Sequence, residues 1–196
     1  MPQLRFALAF LCLTVLAVAG RSDEKEGKPP TFASPQEAFD AASAAAKKED
    51  WATFAYCLTD TSRDRFIGVL VLYAADGAFG KEKEKFKPIA DVLAKYGITA
   101  EAAKNAFGKK DGLKKLVEPI KDKNAFFVEF MAAEKKVEPD EAKRATEILK
   151  GELKDVTIDG EKAKGKLTSK GPGGKTREEK IAFEKVGGGW KIVIID

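Results

Sequence analysis

The side chains able to do chemistry in this chain are few, and their types narrow the chemistry sharply. Histidine is absent from all 196 positions, which removes the usual proton shuttle near neutral pH and the commonest metal ligand. Of the two cysteines, Cys12 lies in an apolar N-terminal run and Cys57 stands between Tyr56 and Leu58. A thiol attacks only when a base takes its proton, and without histidine Cys57 reads as a buried, inert side chain. No cluster has metal-ligand spacing, so neither a metal nor a cofactor is expected. Gly174-Lys175-Thr176 has the ending of a phosphate-binding loop. That motif needs glycine where Ser169 stands, and the following REEKIAFEKV alternates like a strand rather than a helix. A lysine-rich hairpin turn is the better reading.

Two constellations remain. Asp155, Asp159, Glu178, Glu179 and Glu184 lie on or beside expected strands. A carboxylate enclosed by apolar neighbours keeps its proton closer to neutrality and can work as an acid or base. Asp159 belongs to a turn and Asp155 to a solvated face, and Glu184 is the best candidate of the five. Its alternation sets it opposite Ile181 and Phe183, on the water side, so no catalytic residue is assigned. The second constellation is aromatic. Trp51, Phe54, Tyr56, Phe183 and Trp190 would line an apolar pocket, with the Tyr56 hydroxyl as its polar group. These five are the candidate ligand-binding residues, and their spacing also suits plain core.

The elements that must position them divide into two halves. Ser34-Pro35-Gln36-Glu37 is a capping box with proline in the first helical turn, opening an alanine-rich helix to about Lys48. Asp50 caps a short helix carrying Trp51, Phe54, Ala55 and Leu58. A third helix follows Thr61 or Ser62, with Arg63, Asp64 and Arg65 as a solvated first turn. Its stripe is Phe66, Val69, Leu70 and Tyr73, and its other sides are apolar enough for burial nearly all round. KEKEKFK (81–87) reads as a solvated connector. Shorter helices follow from Pro88, from Thr99 and from Asp111, the last ended or kinked by Pro119. NAFFVEFMAAEKK (124–136) presents Phe126, Phe127, Phe130 and Met131, and a last helical piece spans Asp140 to Leu149.

After Gly151 the apolar period changes from 3.6 to 2. Glu152–Ile158 and Glu161–Thr168 form a hairpin about Asp159-Gly160, with Ile158 facing Glu161, Val156 facing Ala163 and Asp155 facing Lys164. GPGG (171–174) turns the chain into KTREEKIAFEKV, and Gly187–Gly189 turn it into WKIVIID. That last segment is apolar on both sides, which predicts an inner strand. The fold class is α+β: a helical N-terminal half packed on an antiparallel sheet of about four strands.

Ahead of the folded part, Arg5, the apolar run Phe6–Ala19 and the exit Ala17-Val18-Ala19 have the layout of a secretory signal peptide. The run is short against the roughly 20 residues a membrane span needs. Residues 1–19 are therefore expected to be removed, leaving no stable membrane span and a periplasmic or extracellular protein. Retention as an anchor is the alternative. Residues 20–33, polar and proline-containing, read as a flexible linker. Residues 34–196 read as one domain, with one cysteine and hence no internal disulfide. Net charge is +4 with both signs interspersed, so nothing calls for nucleic acid.

SPQEAFDAASAAAKKEDWATFAYCLTDTSRD, with the closing Asp-Gly…Ala-Lys-Gly and Phe-Glu-Lys-Val…Gly-Gly-Trp-Lys-Ile, resembles the nuclear transport factor 2-like superfamily, including its bacterial secreted members. The likeness covers about 34–65 and 152–196. It implies a cone-shaped roll, a curved sheet wrapped round the helices, often with an internal pocket. Residues 66–150 depart from it as a helical insertion that would fill or cover that pocket. The combined expectation is an exported, non-enzymatic binding or accessory domain for a small apolar ligand or a protein partner, with a homodimer permitted. An isomerase- or hydrolase-like enzyme with a pocket carboxylate and a structural helper at the cell envelope are the alternatives.

Overall fold

The computed structural model describes residues 30–109, 111–140, 147–170 and 176–194. Local capping chemistry starts most of the helices. Ser34 Oγ accepts from the Glu37 amide at 3.1 Å, and Glu37 Oε2 accepts from the Ala33 amide at 2.8 Å. The capping box thus closes one residue earlier than its usual form and opens α1 (Pro35–Lys48). Glu49, with φ 58°, ends α1 in the left-handed region. Asp50 accepts from the Thr53 amide to start α2 (Trp51–Cys57).

Helix α3 (Asp60–Phe79) begins earlier than its pattern suggests, capped by Thr59. Its first turn is not free in water: Arg63 donates to Asn124 Oδ1 at 3.1 Å, and Asp64 pairs with Lys123 at 2.9 Å. Its buried side is also a different one. Ile67, Gly68, Val71, Ala74 and Ala78 face inward while Tyr73 is 83 % exposed. Small residues decided the side, because they let neighbours come close. A Cβ on Gly77 would stand 2.6 Å from the Phe86 ring.

The following helices are α4 (Lys87–Lys95), α5 (Ala100–Ala106), α6 (Gly112–Val117) and α7 (Lys123–Val137). Thr99 caps α5 as expected, and α6 stops two residues short of Pro119. Packing pairs α4 with α7 and α3 with α6, and α2 rests on α7. Trp51, Phe54, Phe66 and Phe127 meet there with ring centroids 5.7–6.2 Å apart, within the range where aromatic pairs add to simple burial. The expected helical piece at 140–149 lies mostly outside the described residues; its end is a 3₁₀ turn, Glu147–Lys150.

The sheet is open and antiparallel, ordered β1 (Glu152–Asp159), β2 (Lys162–Lys170), β3 (Thr176–Val186), β4 (Gly189–Val193). The fold class is α+β. Two sequence expectations are corrected. The first hairpin turns about Gly160-Glu161, so Asp159 pairs with Lys162 and Ile158 with Ala163. A bulge at Asp155, whose φ is 52°, then shifts the ladder again, and Lys154 faces Lys166. Asp155 consequently pairs with Lys166 at 2.9 Å, not with Lys164. Gly165 sits opposite the bulge because a Cβ there would come within 2.7 Å of Leu153 Cδ1.

The second correction concerns β4, which is the last strand of the sheet rather than an inner one. Its free edge is nevertheless covered. Trp190 donates to the Phe32 carbonyl, Ile192 accepts from the Thr59 amide, and the Ile194 amide donates to Ser62 Oγ. A covered edge, one buried face (Trp190, Ile192) and one half-buried face (Lys191, Val193) account for an apolar segment near the chain end. Trp190 and Ile192 are each 5 % exposed.

Candidate functional site

Strand alternation decides which side chains reach the helices. On β3, Ile181 and Phe183 are buried and share a face, and the same phase includes Glu179. Leu167 of β2 pairs with Glu179, and Ile192 of β4 pairs with Phe183, so these residues also belong to the inner face. Phe54 and Leu58 come from α2 and its end, Phe66 from α3 and Leu149 from the 3₁₀ turn.

These elements do not meet everywhere. Between them lies a cavity of about 310 Å³, with Phe54, Leu58, Phe66 and Leu149 on the helical side. Leu167, Ile181, Ile192, Val193 and Ile194 line the sheet side, and the charged residues of the wall are Glu179 and Lys180. Phe183 and Trp190 occupy the inner face elsewhere and do not line this space. The volume falls at the small end of ligand pockets, roughly 300–1,000 Å³. Glu179 is exposed, so its carboxylate stands at the water margin with apolar side chains deeper in. Lys180 alternates to the outer face, opposite Lys166.

Of the five aromatic candidates, Phe54 lines the cavity. Trp51 is 8 % exposed and packs edge-to-face on Phe54 and Phe127 as core. Tyr56 is half-buried and is not part of the wall. Glu184 stands exposed on the outer face between Lys162 and Lys191, where its alternation puts it. The residue that sequence reasoning passed over is Glu179. The signal was available: carrying the Ile181–Phe183 alternation two residues back places it inward.

Cys57 is fully buried, its Sγ donates to the Thr53 carbonyl at 3.3 Å, and burial pushes its pKa up to about 12 against the opposing pull of Lys191. A thiol held protonated this firmly does not serve as a nucleophile. Among the described residues no group of three or more His, Cys, Asp or Glu side chains is arranged to hold a metal ion. Thr176 opens a strand, not the helix a phosphate-binding loop requires; Gly174 and Lys175 lie outside the described residues. Among the described residues no helix is long and apolar enough to cross a membrane.

No protein-family model, curated protein or solved structure matches the chain.

Proposed function

We propose that the chain is an exported, non-enzymatic binding domain whose cavity between α2, α3 and the inner face of β2–β4 holds a small apolar molecule. The single observation that carries this reading is the cavity itself: about 310 Å³ with aliphatic and aromatic walls. Such a wall favours a hydrocarbon body by removing it from water. Any polar end of the ligand would point outward, past Glu179. The export component rests on the signal-like run Phe6–Ala19.

The decisive experiment is a thermal-unfolding screen of the purified protein against medium-chain alcohols, carboxylates and amines. A ligand that binds only the folded state stabilises it by about 2.7 kcal/mol at a hundredfold excess over Kd. That corresponds to a rise in Tm of several degrees for a chain of this size. Filling the cavity with Ile181→Trp should abolish the rise. No shift with any probe at saturation would refute the reading.

Glu179 favours one second reading, an isomerase- or hydrolase-like enzyme in which this carboxylate is the base. Water exposure counts against it, since a general base gains its strength from enclosure. A turnover that vanishes in Glu179→Gln, with the Tm unchanged, would replace the binding reading with this one.

A further inference from the structure

A second apolar concavity lies in the helical insertion, lined from α3 and α5. Leu72, Asp76 and Phe79 on α3 fall at i, i+4 and i+7, and Ala103, Lys104 and Phe107 run along α5 to its end. Facing stripes of this kind frame a trough of about 440 Å³. The two most exposed large hydrophobic side chains of the described residues are Tyr73 on α3, at 83 %, and Phe107 directly after α5, at 78 %. Phe107 both lines the trough and projects into water, and Tyr73 follows Leu72 of the trough wall in sequence. Exposed apolar surface concentrated in this way marks an interaction site.

The charges on the walls indicate what covers it. Asp76 stands on one wall and Lys104 on the other, both exposed and neither engaged in an ion pair or side-chain hydrogen bond among the described residues. A foreign partner of one charge would meet attraction at one wall and repulsion at the other. A two-fold axis through the trough removes that conflict, because an isologous contact sets residue i against j of the partner and j against i. We infer that two copies of this chain pair through the α3/α5 face, Phe107 of each entering the trough of the other and Asp76 of each facing Lys104 across the axis.

Sedimentation equilibrium of the purified chain and its variants tests this. The unaltered protein should form a reversible dimer. Phe107→Ala, Asp76→Lys and Lys104→Asp should each weaken pairing by roughly tenfold or more, since symmetry counts every lost contact twice. All three side chains are exposed, so far-UV circular dichroism and Tm of the monomer should stay unchanged. The diagnostic arm mixes Asp76→Lys with Lys104→Asp. Opposite charges then meet at both contacts, and a heterodimer should form although neither variant pairs with itself. A protein that stays monomeric at every attainable concentration overturns the inference and leaves the trough to a foreign helix. A dimer indifferent to the three substitutions, or a mixture that fails to pair, overturns it as well.

Discussion

The amide of Thr59 donates to the carbonyl of Ile192 at 3.0 Å, and Leu58 bridges Ile192 in parallel. The α2–α3 junction thereby acts as a one-residue fifth strand on the edge of β4, welding the helical half to the sheet. Ser62 completes the weld. It is 2 % exposed, and its Oγ accepts from the Thr59 hydroxyl at 2.7 Å and from the Ile194 amide at 3.0 Å. Ser62→Ala should therefore leave two donors without a partner. The expected loss is about 1–3 kcal/mol, read as a lower midpoint in urea with an unchanged slope. A variant as stable as the parent would show that water replaces Ser62 at no cost.

That weld also marks where sequence reading stopped. Helix starts were legible because Ser34, Asp50 and Thr99 act on amides three residues away, and such chemistry is written locally. The apolar character of Ile192 and its neighbours was legible too, together with the burial it implies. Alternation reports how many faces of a strand are packed, but not which group bonds its edge. Leu58 and Thr59 lie far away in the chain, so the pattern of β4 alone suggests an inner strand. The buried stripe of α3 departs from the apolar pattern for a related reason. Large apolar residues draw attention, whereas Gly68, Ala74 and Ala78 won the interior by permitting close approach. Of the cavity only Phe54 was legible among the aromatic candidates, because a space is defined by side chains that fail to meet.

Gly77 supplies a test of close approach. Glycine within a helix costs roughly 1 kcal/mol relative to alanine, so Gly77→Ala would ordinarily stabilise α3. Here the added methyl would stand 2.6 Å from the ring of Phe86, which is 8 % exposed. Overpacking of this kind costs about 1–3 kcal/mol. The net expectation is destabilisation in thermal or urea unfolding, partly relieved in the double variant Gly77→Ala/Phe86→Leu. A raised Tm for Gly77→Ala alone would mean that Phe86 swings aside freely.

Cys57 makes stability depend on alkali. Its thiol ionises near 9.0 when unfolded and near 12 when folded, because burial disfavours the thiolate. The folded state keeps a proton that the unfolded state releases. This contribution is fully present below pH 9 and is lost as the pH rises toward 12, at up to about 1.4 kcal/mol per unit. Lys85, Lys87 and Lys95, each raised first by a hydrogen bond to a carboxylate, act in the same direction in any variant and cancel in a comparison. Cys57→Ala should thus lose stability less steeply between pH 9 and pH 11 in urea titrations. Parallel slopes for the two proteins would show that the thiol opens to water before the fold does.

Glu179 and Leu167 oppose each other across β2 and β3, one at the margin of the cavity and one in its wall. A ligand lying along this pair would keep its hydrocarbon against Leu167 and its head group beside the carboxylate. The consequence is a preference by charge. With the Glu179 side chain at the cavity margin, a medium-chain amine should bind better than the carboxylate of equal length. Because the carboxylate is exposed, the difference amounts to about 0.2–1 kcal/mol, the range of a solvated ion pair. Glu179→Gln should erase it, weakening the amine and strengthening the carboxylate, while leaving the uncharged alcohol where it was. Added salt should shrink the preference in the parent protein and have no effect in the variant. Isothermal titration of the three probes into both proteins measures all of this. Equal changes for all three would place the head group away from Glu179, and the ligand would then enter the cavity from another side.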